Sequence, residues 1–414
     1  MTPTAGQAET GTQDDTGVID SAIAWRRLAI SLLVSTIGGV ALWSGVVVLP
    51  AVQEEFGSAR GGASLPYAAT MISVALGGVA MGRLADRFGV SLPVAIGAVA
   101  LGAGYVLAAL APSLWVFVLV QGVFIGFLGG STSFGPLVAD ISHWFSRRRG
   151  IAVAICASGN YIAGTIWPPI IRYMVDSFGW RHAYVVIGVV SIVAMLPLAR
   201  ALRRPPPRAA NDPQPGAPGP ARAAIPPGRL QAMLVIAGVT CCLAMAMPQV
   251  HIVAYCGDLG YGIARGAEML SLMLGAGIVS RLASGWISDR IGGVRTLLLG
   301  SALQGATLAL YIPFDGLMSL YVVSFLFGLS QGGIVPSYAI IVREYLPARE
   351  AGTRVGLVLM ATIVGMAAGG WLSGLIFDLT GSYRAAFLNG MVWNLVNVAI
   401  ALWLLRSQGA RAAA

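Results

Sequence analysis

One arginine inside an apolar stretch is the strongest chemical signal in this sequence. The stretch Met269–Gly292 (MLSLMLGAGIVSRLASGWISDRIG) has the length and composition of a membrane-spanning helix, with Arg281 in its interior. At 1.5 Å per residue, Arg281 lies about 12 Å inside Asp289, close to mid-depth in a hydrocarbon layer about 30 Å thick. A guanidinium keeps its proton there, and its insertion costs at least about 2.5–3.5 kcal/mol. We therefore predict a substrate or ion site at Arg281; the alternative is a structural arginine paired inside the helix bundle.

Further polar side chains lie in or beside the other apolar segments. His251 and Asp258 are seven residues apart and share one face if a single helix includes both. Histidine titrates near neutral pH, so His251 is a candidate proton relay, with a packed histidine as the alternative. Asp258 is either a proton carrier or an ordinary loop acid. We assign His251 to the substrate site with three uncharged residues, for each of which bonding between helices is the alternative: Gln121, Asn160 and Tyr338.

A short motif occurs twice, about half a chain apart. GRLADRFG at 82–89 recurs as GWISDRIG at 285–292, an offset of 203 residues, and a second echo relates 176–181 to 378–384. Two echoes indicate a duplicated architecture, and transporters built from repeats place their site near the midplane between the repeats. Gly82 and Gly285 would allow close helix approach, while the charged positions would lock one conformation and release the other. The alternative is a solvated loop. The predicted gating residues are Gly82, Asp86, Arg87, Gly89, Gly285, Asp289, Arg290 and Gly292.

The composition indicates the class of protein in which these residues operate. Hydrophobic residues make up 57% of the 414 residues, charged residues 10%, and the mean hydropathy is +0.78. A soluble domain carries about 25% charged residues, so this chain is a membrane protein. It has no phosphate loop, metal-ligand cluster or nucleophile–base pair, and we predict neither an enzyme nor a cofactor. The cysteines lie in or at the ends of apolar segments and are expected to pack as small residues: Cys156, Cys241, Cys242 and Cys256.

Twelve apolar segments of about 20 residues predict an all-α membrane protein with twelve transmembrane helices in two six-helix halves. The predicted parts are a disordered cytoplasmic tail (1–25), an N-terminal half (26–202), a proline-rich cytoplasmic linker (203–228), a C-terminal half (229–406) and a C-terminal tail (407–414). The predicted spans are Leu28–Pro50, Leu65–Gly82, Val90–Leu110, Leu114–Val138, Gly150–Tyr173, Ala183–Leu202, Arg229–Tyr255, Ala267–Ile287, Val294–Pro313, Gly316–Ile341, Thr353–Phe377 and Ala385–Leu405.

The arginines are distributed unequally between the two sides of the predicted membrane. All 26 basic residues are arginines; 20 lie on the side of the termini and linker, 5 on the other, and the remaining one is Arg281. By the positive-inside rule both termini are cytoplasmic. The net charge of +9 therefore orients the chain in a lipid bilayer and does not indicate nucleic-acid binding. With no removable signal peptide in residues 1–24, we expect a multi-pass plasma-membrane protein of the bacterial inner-membrane type, functional as a monomer.

The repeated motif resembles the signature loop of the major facilitator superfamily, and the resemblance covers about Arg26 to Arg406. Within it, WFSRRRGIAVAICASGNYIAG at 144–164 is similar to the fifth-span entry of monocarboxylate transporters and their oxalate:formate relatives. Arg281, four residues before Gly285, matches the position of the carboxylate-binding arginine of that subfamily. The resemblance also implies that an acidic group at about Asp258 pairs with Arg281. Substrate would then compete for the guanidinium and favour protonation of Asp258, so that a proton and a monoanion load together.

The chain departs from this subfamily at two positions. It contains no lysine, so it lacks the first-span lysine of animal monocarboxylate transporters, and its eleventh span has no internal cation. A single buried positive charge suits a monoanion better than a dianion. We predict a secondary transporter for a small organic monocarboxylate, coupled to protons. The alternatives are an organic-anion exchanger or multidrug-type efflux carrier, and, from another class, a membrane sensor that binds ligand without transporting it.

Overall fold

The computed structural model describes residues 18–145, 148–205, 226–346 and 351–412, which form helices and turns without strands. Eleven helices are long and apolar enough to cross a membrane, and the remaining one, α9, has 18 residues that include Arg295 and Gln304. This confirms the predicted all-α membrane fold. In chain order the helices are α1 (Ala22–Glu55), α2 (Arg60–Phe88), α3 (Ser91–Ala109), α4 (Leu114–Ser142), α5 (Arg149–Ala157 and Gly159–Phe178), α6 (Trp180–Ala201), α7 (Pro227–Asp258), α8 (Ile263–Ile291), α9 (Gly293–Leu310), α10 (Leu317–Gln331 and Ile334–Tyr345), α11 (Ala351–Thr380) and α12 (Tyr383–Ala412).

Several helices extend beyond the predicted spans. α1 starts at Ala22, inside the predicted tail, because the Ser21 hydroxyl accepts a hydrogen bond from the Ile23 amide at 3.2 Å and caps the helix. α12 continues to Ala412, so most of the predicted C-terminal tail is helical. Most of the predicted linker, residues 206–225, lies outside the described residues.

Helices α1–α6 and α7–α12 form two halves, each with its own aromatic core. In the N-terminal half, Tyr105 lies edge-on to Tyr184 with ring centroids 5.0 Å apart. In the C-terminal half, Tyr311 stacks on Phe387 at 4.8 Å. The halves meet along two seams, α2 against α11 and α5 against α8. A smaller contact joins the second part of α1 to α7.

The α2–α11 seam is closed at one end of the bundle and open at the other. We call these the Arg60 end, where α2 begins, and the linker end, where α6 ends and α7 begins. At the Arg60 end, a Cβ on Gly374 would lie 2.8 Å from the Ser64 Oγ, so glycine permits the close packing. Towards the linker end, Gly82 on α2 and Gly356 on α11 have no side chain or neighbouring backbone within 4 Å of their Cβ positions. The two helices thus diverge towards the linker end.

The last glycine of each signature motif terminates a helix. Gly89 ends α2 with φ 80° and Gly292 ends α8 with φ 82°, a backbone conformation that favours glycine. The close approach predicted at Gly82 and Gly285 is absent from this conformation, since both positions face open space. The structural requirement for glycine in the motif is thus at its last position, where the chain turns sharply between helices.

Candidate functional site

Arg281 lies level with two helix breaks, one in each half. It is 18 residues from the start of α8 and 10 from its end, or about 27 Å and about 15 Å along the axis. At this level α5 is interrupted at Ser158, and α10 at Gly332 and Gly333. Ser158, Gly332 and Gly333 keep right-handed helical dihedral angles, so both helices continue through these local irregularities. Transporters built from repeats place their binding site near this depth, between the two halves.

The Arg281 guanidinium joins the two halves. Its Nη1 donates a hydrogen bond to the Ala157 carbonyl, the last residue before the α5 break, at 3.1 Å. The guanidinium carbon lies 4.2 Å from the centroid of the Tyr161 ring, a cation–π geometry. On the other side, Nε is 3.4 Å from the Gly332 carbonyl in α10. Gly277, one turn earlier in α8, permits this approach because a Cβ there would be 2.5 Å from the Tyr161 ring.

Asn160 lies beside the same group of residues. The indole Nε1 of Trp43, in α1, donates to the Asn160 carbonyl at 3.2 Å and to its Oδ1 at 3.3 Å. Asn160 is adjacent in the chain to Tyr161, which carries Arg281 on its ring. Among the described residues, Arg281 forms no ion pair with a carboxylate, so its charge is available to a ligand. An arginine at membrane depth, with aromatic and amide neighbours, can bind a small carboxylate.

The structure places the other three predicted substrate residues away from Arg281. His251 is fully buried, and its Nε2 lies 2.8 Å from the Gly370 carbonyl, joining α7 to α11. Gln121 donates to the Tyr184 hydroxyl at 2.9 Å within the N-terminal half. Tyr338 donates to the Ala237 carbonyl at 2.9 Å within the C-terminal half. All three side chains bond to a neighbouring helix, which is the alternative given for them in the sequence analysis. Buried polar groups require such partners.

Asp258 does not pair with Arg281 in this conformation. Its carboxylate accepts two hydrogen bonds from Arg60 Nη2, at 2.9 and 3.0 Å, at the Arg60 end. α7 ends at Asp258, and α8 begins five residues later. Arg281 therefore lies about 27 Å along α8 from the Arg60 end of the bundle. The predicted competition between substrate and Asp258 for the Arg281 guanidinium requires a contact between Asp258 and Arg281. This conformation does not contain that contact.

The charged signature residues of α2 are solvent-exposed and free of ion pairs among the described side chains. Asp86 and Arg87 are both exposed. In the second motif, Arg290 lies over the Trp286 ring at 3.5 Å, while the Asp289 side chain lies outside the described residues. Asp86 and Arg87 therefore form no locking contact with another described side chain in this conformation.

A carboxylate from α10 contacts the helix that follows the second motif. Glu344 accepts hydrogen bonds from the Gly293 amide, the first residue of α9, at 3.2 and 3.3 Å. Partial burial raises the pKa of Glu344, against the opposing effect of this hydrogen bond. The second motif is therefore followed by a helix whose start is stabilised from α10.

A buried ion pair at the linker end was not predicted. Arg27 donates from Nε and Nη2 to the two oxygens of Asp140 at 2.7 and 2.9 Å, and both side chains are buried. It also donates to the Leu202 and Arg204 carbonyls at the end of α6, and lies 4.4 Å from the Trp144 ring. Arg27 and Asp140 are 113 residues apart, and nothing in this spacing signals the pair.

In the described part of the chain, an all-helical bundle of two six-helix halves with a half-buried arginine on the seam between them is the architecture of a secondary membrane transporter. The sequence profile of the Major Facilitator Superfamily matches residues 28–353 and 269–413, and the chain belongs to this family. It is thus a transporter of this type and not an enzyme.

Several characterised relatives and solved structures are similar to the chain. Monocarboxylate transporter 13 of Bos taurus is 30% identical over 74% of this chain and 71% of its own length. Monocarboxylate transporter 11 of Mus musculus is 30% identical over 90% of this chain and 85% of its own. Crystal structures of a bacterial homologue of the human lysosomal transporter Spinster, in an inward-facing and occupied conformation, and of the peptide transporter POT with sulfate each superpose with a TM-score of 0.73. The first is 14% identical and covers 94% of this chain and 98% of that one; the second is 12% identical and covers 95% and 97%. At these identities the structures support the fold alone.

Proposed function

We propose that this protein transports a small organic monocarboxylate across the membrane by alternating access of a site at Arg281. The observation that carries the proposal is the Arg281 guanidinium, which lies at mid-depth on the seam and forms no ion pair with a described carboxylate. Two relatives that share 30% identity over most of their length are monocarboxylate transporters by name, which supports the same class of substrate. A single fixed cation favours a monoanion over a dianion, because one positive charge neutralises one negative charge of the ligand and leaves the second charge of a dianion uncompensated.

The contacts of Arg281 suggest how binding and conformational change are linked. The guanidinium already bonds α5 of one half and α10 of the other. Nε–H and one Nη1–H are directed to backbone carbonyls, so the remaining N–H groups on Nη1 and Nη2 are those that a carboxylate would engage end-on. A bound carboxylate would then be held by a side chain that both halves position. Domain movement would change its contacts on one side first, as alternating access requires.

We further propose that transport is coupled to protons and that the linker end faces the cytoplasm. The arginine distribution supports this orientation in the plasma membrane. Since Asp258 pairs with Arg60 and not with Arg281, coupling would act through the closure of the Arg60 end. Protonation of Asp258 would remove the charge that holds Arg60. The proposed functional unit is a monomer, since each half supplies its part of the site within one chain.

A thermal-shift screen on the purified protein tests the ligand class. A ligand that binds the native state alone stabilises it by about 2.7 kcal/mol at one hundred times its dissociation constant. We expect monocarboxylates such as acetate, lactate and pyruvate to raise the melting temperature, and their amides to have no effect at equal concentration. Oxalate serves as the dianion control. Stabilisation by organic cations and none by carboxylates would instead support a drug-efflux carrier.

Proteoliposomes separate a transporter from a sensor and a symporter from an exchanger. For the best ligand of the screen, we expect uptake into empty vesicles that an inward proton gradient accelerates. Binding without flux would indicate the sensor. Uptake that requires an anion inside the vesicles and is unchanged by the proton gradient would indicate an exchanger.

A further inference from the structure

Arg60 begins α2 with its backbone bonded to the opposite half. The Asp378 carboxylate, on α11, accepts hydrogen bonds from the Arg60 amide at 2.7 Å and from the Gly61 amide at 2.6 Å. These amides belong to the first turn of a helix and have no partner within it. A carboxylate at this position is favoured by both the hydrogen bonds and the helix dipole. The start of α2 in one half is thus capped by α11 of the other.

The Arg60 side chain makes a second connection to the same half. Its Nη2 bonds both oxygens of Asp258 at the end of α7, and its guanidinium carbon is 5.1 Å from the Phe377 ring and 5.9 Å from the Tyr383 ring. The Arg60 side chain is 7% exposed, whereas the Asp258 side chain is 38% exposed. One residue of the N-terminal half therefore contacts α7, α11 and α12 of the C-terminal half.

We propose that Arg60 and Asp378, together with Asp258, form the lock that holds the Arg60 end of the transporter closed. The assignment rests on the alternating-access part of the proposed function and is independent of the substrate. To open this end, α2 must move away from α11. This movement breaks the two hydrogen bonds from backbone amides to Asp378 and the Arg60–Asp258 ion pair together. Arg60 and Asp378 thus position the halves and do not touch substrate.

The other ion pairs of the described residues do not connect the two halves. Of the six ion pairs defined by described side chains, Arg60–Asp258 joins the two halves and the other five stay within one half. Arg181–Glu55, for example, connects α6 to α1 at 2.6 Å in the N-terminal half. Domain movement that preserves each half would leave Arg181–Glu55 intact. This pair is therefore a matched control for the lock.

The exposed side of the lock borders a cavity of about 650 Å³ that is lined by Arg60, Arg172, Asp258 and Glu54 among others. Asp258 faces this cavity, and both Asp258 and Asp378 are exposed residues. Asp378 accepts hydrogen bonds from two backbone amides at the start of α2, which hold the helix itself, whereas Asp258 binds only the Arg60 side chain. We therefore assign Asp378 the larger part in keeping the end closed.

Cysteine labelling from the Arg60 side tests the lock without any substrate. Ser64 lies one turn below Arg60, is fully buried, and packs against Gly374 across the seam. In a background whose native cysteines are replaced by alanine, a Ser64→Cys reporter is treated with a membrane-impermeant maleimide in proteoliposomes. We expect Asp378→Ala to accelerate labelling about tenfold, which corresponds to about 1.4 kcal/mol lost from the closed state. Arg60→Gln is expected to act in the same direction.

Arg181→Gln is the control and is expected to leave the labelling rate unchanged. Each variant is first checked for a monodisperse elution profile and for melting temperature, and the milder Asp378→Asn replaces Asp378→Ala if the latter does not fold. Unchanged labelling in folded Asp378 and Arg60 variants would overturn the lock. Equal acceleration in Arg181→Gln would also overturn it, since the end would then be loosened generally. Because the readout uses no ligand, an incorrect substrate class would leave this result unaffected.

Discussion

Replacing Arg281 by lysine tests the site with the least disturbance, because lysine retains the positive charge. The guanidinium bonds the Ala157 carbonyl and lies against Tyr161, and its remaining N–H groups form a planar fork. An ammonium cannot bond both a backbone carbonyl and two carboxylate oxygens in this geometry. Losing one hydrogen bond to a charged group costs about 1.5–3 kcal/mol. We therefore expect apparent affinity to fall by about tenfold to about a hundredfold.

The assay is uptake of the screened monocarboxylate into proteoliposomes, with protein orientation and amount measured. Arg281→Ala removes the charge as well and should abolish saturable uptake. Arg265→Lys is the matched control, since Arg265 lies on the same helix, is exposed and pairs with Glu268 at the surface. Exposed pairs contribute about 0–1 kcal/mol, so its transport should stay close to wild type. Near-normal transport by correctly inserted Arg281→Ala would refute the reasoning.

Three further predictions concern the conformational cycle and the stability of the halves. Asp86→Asn should slow transport several-fold while leaving ligand binding unchanged, because Asp86 is an exposed residue in the last turn of α2 and is not part of the Arg281 site; weakened thermal-shift binding at a normal rate would contradict this. Asp258→Asn should retain counterflow exchange but lose acceleration by an inward proton gradient; a wild-type gradient response would place the proton elsewhere, with His251 the next residue to test. Asp140→Asn should destabilise the protein by about 3–5 kcal/mol, because it leaves the buried Arg27 without its counter-ion. A melting temperature equal to that of wild type would contradict the last prediction.

The sequence contains enough information to predict the membrane class, the twelve spans and the two-fold repeat. Each of these depends on local chain properties, namely the length of an apolar run, the placement of arginines outside it and the recurrence of a motif. Arg281 could be singled out for the same reason, since one charge at the centre of an apolar run is costly wherever the helix packs. Its neighbour Asn160 was also predicted, as a polar residue within a span.

The partner of each polar residue could not be read from the chain. The resemblance implied that Asp258 pairs with Arg281, yet Asp258 pairs with Arg60, which is 198 residues away and was not predicted to belong to any site. Asp378 resembles Asp176 in the internal echo, but Asp176 pairs with Arg172 on its own helix while Asp378 crosses to α2. Equivalent positions in the two repeats thus have different partners.

The physical reason is that helix periodicity determines which residues share a face but not which helix that face meets. His251, Gln121 and Tyr338 were suitable as cavity residues by type and depth, and interhelical packing directs each of them to a partner outside the Arg281 site. The sequence alone predicted a cation near the middle of an apolar span. The packing of α5, α8 and α10 decided that it lies on the seam, because this packing brings the Ala157 carbonyl of one half and the Gly332 carbonyl of the other to one guanidinium.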